Sequence, residues 1–209
     1  MLAWEAINKE ADIYLIAISD DGLTGLEDKI SLGNKLVVHT AGSVSKDILK
    51  RLSKNYGVIY PLQSLRKEVK ELPVIPLLVD GNTEDNLTLI YDFALTISTN
   101  VSIAGDTTRL KLHIAAVLVS NFTNHLYALA AYYCKSEQID FQLLLPLIQE
   151  NADRLNYFPA GEMQTGPAIR NDKLTIERHL KLLDKYALIS QMYKLLTENI
   201  QEFHGGSGG

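Results

Sequence analysis

The run from Arg109 to Cys134, RLKLHIAAVLVSNFTNHLYALAAYYC, constrains this chain more than any other stretch. It holds neither Pro nor Gly, so as a helix it spans roughly 39 Å at about 1.5 Å per residue. Apolar residues occupy nearly its whole circumference, the pattern of a helix buried on most sides. At about 100° per residue, however, His113, Ser120, Asn121 and Asn124 share one quadrant. A polar stripe on a buried helix costs free energy unless each group is hydrogen-bonded or meets a ligand. The expectation is a helical domain organised on one long buried helix, its stripe turned towards a site.

Upstream the rhythm differs. Ile13 to Ile18 and Lys35 to Thr40 are nearly continuous apolar runs of strand length, as in strands covered on both faces. Gly57 to Tyr60 is a third strand, stopped by Pro61. Val74 to Val79 is a fourth, which Pro76 places at a sheet edge. Asn100 to Ile103 is a short fifth segment. Helices are predicted over residues 3–11, over Leu23 to Ser31, and from Ser43 or Ser45 through KDILKRLSK. Thr83 caps a further helix to Ser98, with Glu84 and Asp85 in its first turn. This alternation predicts right-handed βαβ units in a parallel sheet. Beyond Thr108 the period is helical throughout. Asp140 caps a helix containing Pro146, Phe158 to Arg170 is a loop, Asp172 caps KLTIERHLKLLDKY, and Ile189 to Phe203 is the last helix. The predicted layout is therefore α/β over 1–105 and all-α over 106–204, with GGSGG at 205–209 as a linker or scar.

Composition removes several function classes. The chain has 209 residues, 46% hydrophobic and 22% charged, an ordinary folded composition. A net charge of −5 offers no basic face for nucleic acid. Cys134 is the only cysteine, so no intrachain disulfide is available, and a small buried thiol in a reducing compartment is expected. The N-terminus lacks the form of a signal peptide, and polar residues interrupt the longest apolar run. These features predict a cytoplasmic protein with no membrane partner. No HxxxH or HExxH spacing nominates a metal site, and no G-x-S-x-G elbow nominates a serine hydrolase.

What remains points to strand ends. Ligands of a doubly wound sheet bind beyond the carboxyl ends of its strands. Two such ends carry small polar residues here: Ser19-Asp20-Asp21-Gly22 and His39-Thr40-Ala41-Gly42-Ser43. Gly42 lets a backbone approach closely, and a following helix N-terminus favours an anion. Ordinary βα turns use the same residues. On the long helix, His113, Asn121 and Asn124 could hold a substrate carbonyl or position a nicotinamide. His113 could give a proton to a developing alkoxide. In the loop before the capping Asp172, Gln164 and Thr165 could close on a site, with Arg170 as a clamp for carboxylate or phosphate. The dinucleotide fingerprint G-x-G-x-x-G is missing from the sequence.

The segments HTAGSVS, YGVIYPLQS, LKLHIAAVLVSNFTNHLYALA, DFQLLLPLI and QTGPAIRND occur in this order. Together they resemble a bacterial family of candidate NADP oxidoreductases, its Bacteroides-type members most of all. That family joins a Rossmann-like domain to a helical C-terminal domain of unknown function. The wider group includes 6-phosphogluconate dehydrogenase, pyrroline-5-carboxylate reductase and a deazaflavin-dependent NADP oxidoreductase. The resemblance implies NADP (or NAD) as cofactor and homodimers formed through the helical domain. It places Ser19, Asp20, Thr40, Ala41, Gly42 and Ser43 beside the nicotinamide half, and His113, Asn121 and Asn124 opposite. Family members open with a strand, a glycine-rich turn, a helix and a second strand that would precede Met1. Without them this chain is expected to expose apolar sheet edges and to be a weak or inactive catalyst.

The reading is an oxidoreductase moving a hydride between a nicotinamide cofactor and a small carbonyl or imine substrate. The alternative is a non-catalytic ligand-binding or dimerising module that uses the same cleft.

Overall fold

A computed structural model of the chain describes residues 7–65, 68 and 73–205. It divides into two compact units, Met1–Asn124 and His125–Gly209. The change from mixed to all-helical sequence comes near Asp106. The division between units comes later, inside the long helix.

The first unit is built on a five-stranded sheet in the order β1-β2-β3-β4-β5. The strands are β1 (Ile13–Ile16), β2 (Gly33–His39), β3 (Ser53–Pro61), β4 (Leu77–Gly81) and β5 (Val101–Ile103). All neighbouring pairs are parallel except β3 and β4. The interior strand β2 shows why its apolar run is nearly continuous. Leu36 and Val38 face one cluster with Ile59, Leu77 and Val79, roofed by Ile90 and Ala94 of helix α2 (Glu84–Leu95). Val37 faces the opposite cluster with Leu26, Leu49 and Leu52. Val37 and Val38 are both fully buried, and each contributes about 1.5–3 kcal/mol by leaving water. Thr83 caps α2 by accepting from the Asn86 N–H at 3.2 Å.

Several predicted elements take a different form. The helix expected after Ser45 is only a 3-10 turn, Lys46–Leu49, and strand β3 begins by Ser53. The Ser53 hydroxyl donates to the Gly33 and Lys35 carbonyls, tying the chain to β2 before a helix could continue. The helix expected from Leu23 is split into α1 (Asp20–Leu23) and a 3-10 turn, Leu26–Asp28, by Gly25 at φ 72°. Strand β4 is interior, paired with both β3 and β5. Pro76 lies just ahead of it, where its carbonyl accepts from the Leu62 N–H, so no ladder bond is lost. Of the predicted helix at 3–11, residues 3–6 lie outside the described residues, as do 206–209 of the tail, and residues 7–11 hold only a turn at Lys9 and Glu10 instead of a helix.

The long helix is α3 (Asp106–Ala116), a π-helical segment (Val117–Phe122) and α4 (Thr123–Ser136). It is not buried on most sides. Leu110, Ile114, Leu118, Val119 and Phe122 are exposed, Val119 by 75%. Much of the apolar circumference therefore has no cover among the described residues of its own unit. By length and composition alone, Asp106–Ser136 is sufficient to cross a membrane.

The second unit holds the rest of α4 with α5 (Leu145–Asp153), α6 (Lys173–Leu182) and α7 (Ala187–Gly205). Asp140 caps a 3-10 turn, Phe141–Leu144, rather than α5 itself, and Pro146 sits in the first turn of α5, where a missing N–H costs nothing. Asp172 caps α6 through the Thr175 N–H at 3.1 Å. Cys134 is a buried free thiol at the end of α4. Leu182 of α6 and Leu188 of α7 stay 64% and 74% exposed.

Candidate functional site

The two polar strand ends are joined. After β1, Asp20 accepts a hydrogen bond from the Ser43 hydroxyl, which follows β2. Ser19 is the residue before α1, with its side chain making no cap bond. Ala41 is buried, and its N–H donates to His39 Nδ1 at 3.1 Å. Gly42 lies against the long helix: a Cβ there would sit 2.7 Å from His113 Nδ1 and 2.8 Å from Tyr60 Cζ. Only a residue without a side chain allows that approach. His113 Nδ1 in turn lies 2.9 Å from the Tyr60 hydroxyl at the end of β3. The two rings meet edge to face at 70°, with centroids 5.9 Å apart.

Beside this junction lies a cavity of about 560 Å³, lined by Tyr60, Gln63, Ser64, His113, Ser120 and Asn121 among others. The volume is in the range that holds a small organic ligand. Three of the four stripe residues line it. Asn124 does not, because the π-helical segment takes more residues per turn and carries positions beyond it out of phase with His113. Thr40 also departs from the predicted cluster, lining a separate, mainly apolar cavity of about 630 Å³ with Leu15, Ala17 and Ile59. Gln164, Thr165 and Arg170 belong to the second unit. Gln164 donates its amide to the Thr165 carbonyl at 3.0 Å, and Arg170 is exposed, its charge helping to hold the Asp172 carboxyl below its usual value after the larger effect of Thr175.

Behind the turn tips is a buried polar cluster that sequence reasoning missed. Arg109, 1% exposed, donates to the Val44 carbonyl at 2.5 Å and to Asp106 at 2.8 Å. Asp106 also accepts from the Ser45 hydroxyl and the Lys46 N–H. Burial pushes its carboxyl up, but these hydrogen bonds outweigh that and hold it below the ordinary value. Lys46 pairs with Asp80 at 2.7 Å. His39 is fully buried next to this cluster. Burial, then the Arg109 guanidinium, brings its pKa down to about 4, against the Ser45 carbonyl, Asp106 and Asp20. The ring is thus neutral near pH 7. The cluster pins the second turn, through Val44 and Ser45, to the first turn of α3. That holds Gly42 against His113.

The donor set at the turn tips fits part of a nicotinamide nucleotide. Asp20, Ser19 and Ser43 offer a carboxylate and hydroxyls suited to ribose hydroxyls and a carboxamide, neither of which needs a cation. Among the described residues, no glycine-rich turn cradles a pyrophosphate. No cluster of His, Cys, Asp and Glu suited to a metal occurs among them either.

A known protein of Bacteroides fragilis, described as a candidate NADP oxidoreductase, shares 33% identity over 97% of this chain and 80% of its own, with a TM-score of 0.90. A Thermotoga maritima protein has the same fold at 22% identity, covering 96% and 81% of the two chains, with a TM-score of 0.73. An imine reductase from Myxococcus stipitatus, in complex with NADP+, shares the fold at 16% identity over 94% and 77%, with a TM-score of 0.55. No curated protein sequence matches. Residues 75–200 match the domain of unknown function DUF2520, more than half of the sequence. The chain therefore belongs to the DUF2520 family.

Proposed function

We propose that this protein is an NADP-linked oxidoreductase acting on a small carbonyl or imine compound. The observation that carries the reading is the Gly42 junction, where a polar βα turn tip, His113 and Tyr60 meet beside a ligand-sized cavity. The kinship with a Bacteroides fragilis protein described as an NADP oxidoreductase supports it, as does the fold shared with an NADP+-bound imine reductase. In this reading Ser19, Asp20 and Ser43 hold the nicotinamide-ribose half, with Ala41 and Gly42 bordering it, while Thr40 lines the separate apolar cavity. The nicotinamide, when bound, supplies the hydride and is oxidised as the substrate is reduced. His113 and Asn121 orient the substrate's polar atom. Asn124 is a weaker candidate, standing outside the cavity. Gln164, Thr165 and Arg170, in the helical unit, are substrate-binding residues in this reading.

The uncovered apolar residues of the long helix, with Leu182 and Leu188, support a homodimer as the working form. A soluble cytoplasmic dimer gives those side chains a protein partner without invoking a membrane. The alternative, a non-catalytic ligand-binding or dimerising module, uses the same cleft, and turnover separates the two readings.

The test is NADPH consumption with pyruvate and 1-pyrroline as carbonyl and imine probes. His113→Ala and Asn121→Ala should lose turnover while remaining folded. If the two variants change only stability or oligomeric mass, the site is structural and the enzyme reading fails.

A further inference from the structure

We propose that Tyr60 and His113 form a proton relay, in which His113 Nε2 delivers a proton to the reduced oxygen or nitrogen and Tyr60 replaces it at Nδ1. This rests on the oxidoreductase reading and adds a residue that the long helix alone does not supply.

The geometry comes first. The Tyr60 hydroxyl and His113 Nδ1 are 2.9 Å apart, a good hydrogen bond, and both residues line the same cavity. Gly42 closes the near side of that pair, so His113 Nδ1 has Tyr60 as its partner and little room for another. A phenol that donates to Nδ1 fixes the neutral ring with its proton on Nε2. The ring then presents that N–H as its remaining donor.

Chemistry explains why two residues are needed. A neutral imidazole that gave up its Nε2 proton alone would become an imidazolate, a very unfavourable anion. If Nδ1 takes the phenolic proton in the same step, the ring stays neutral throughout. As the substrate carbon accepts the hydride, its π pair moves onto oxygen or nitrogen, and that atom takes the Nε2 proton. Tyr60 is left as phenolate; it takes its proton back from Nδ1 as solvent reprotonates Nε2, which restores both groups with one net proton from water. A phenol is a far stronger acid than the alcohol or amine formed, so the transfer runs downhill. Burial raises the Tyr60 pKa, with Asp20 adding to it and Arg109 opposing. The hydroxyl therefore stays protonated, ready to donate, at neutral pH. Tyr60 acts through His113 and is a positioning residue, not one that touches substrate.

The experiment pairs nitrogen-15 NMR of the imidazole side chains with NADPH binding and turnover of the same two probes, in the wild-type chain and in Tyr60→Phe. The expected result is a single His113 tautomer protonated at Nε2 in the wild type and a mixed population in the variant. NADPH affinity should be unchanged, and kcat should fall by about 100-fold with KM little altered. A wild-type ring protonated at Nδ1, or a tautomer indifferent to Tyr60→Phe, overturns the relay even if the chain is an active oxidoreductase. Loss of NADPH binding in the folded wild-type chain overturns the oxidoreductase reading, and the relay with it.

Discussion

A Cβ on residue 42 would lie 2.7 Å from His113 Nδ1, closer than non-bonded atoms tolerate. The turn after β2 and His113 of the long helix are thus fitted to each other without a side chain between them.

Gly42→Ala should therefore displace the His113 and Tyr60 rings and destabilise the first unit by about 1–3 kcal/mol. Gly57→Ala should cost more. Its Cβ would meet the Asp80 carbonyl oxygen at 2.1 Å, and a strand backbone cannot swing aside as a side chain can. Urea denaturation of both variants checks the order. Equal or reversed costs would show that the contact at Gly42 is not confined to side-chain tips.

His39 should make stability fall in mildly acid solution. Its folded pKa is about 4 against an ordinary 6.5, so below about pH 6.5 the unfolded chain takes up a proton that the folded chain refuses. Its contribution is present above pH 6.5 and is lost progressively as the pH falls towards about 4, to a limit on the order of 3 kcal/mol. Asp106 is shifted in the same direction, but its loss comes below the ordinary carboxylate range and so in a separate window. Denaturation midpoints between about pH 7 and about pH 4.5 should fall more steeply in the wild type than in His39→Asn. Parallel slopes would contradict a neutral buried ring.

Two threonines of α2 should behave in opposite ways. Thr83→Ala removes an N-cap acceptor and should cost about 1 kcal/mol. Thr88 is within the helix, its hydroxyl donating back to the Glu84 carbonyl, so Thr88→Ala should be neutral or slightly stabilising. Thermal melts of the two variants give the comparison directly.

The exposed apolar residues predict a dimer. Sedimentation equilibrium should give twice the 23.3 kDa chain mass, and Leu182→Glu with Leu188→Glu should shift it towards the monomer. A wild-type chain that stays soluble and monomeric at high concentration would leave those side chains without the partner proposed for them.

The sheet was legible because β1 and β2 are nearly continuous apolar runs of strand length; β2 is buried on both faces as expected, whereas Leu15 of β1 is half exposed. Thr83 and Asp172 were legible as caps because their chemistry is local. The 3-10 turn at Lys46–Leu49 was not. KDILKRLSK has helical periodicity, but Leu49 and Leu52 reach the cluster around Val37 only if the chain extends again by Ser53. Exposure of the long helix was misread because periodicity reveals an apolar surface without saying whose atoms cover it. In the site, His113 and Gly42 stood out as a polar residue on an apolar helix and a glycine at a strand end. Tyr60 looked like any aromatic strand residue, since its partner lies 53 positions away. Arg109 carries no local signal of burial in the sequence, and only the Val44 carbonyl and Asp106 explain it. Asn124 was placed by a regular helical phase that the π-helical segment breaks.

The central claim is that the turn tips at Asp20 and Ser43 hold the nicotinamide half of the cofactor. Fluorescence titration of NADPH against the wild-type chain and against Asp20→Ala tests it most directly. The account predicts saturable binding by the wild type, weakened about tenfold in the variant by loss of a charged hydrogen-bond acceptor. Identical curves for the two proteins, or no saturable binding by a folded wild-type chain, would contradict it.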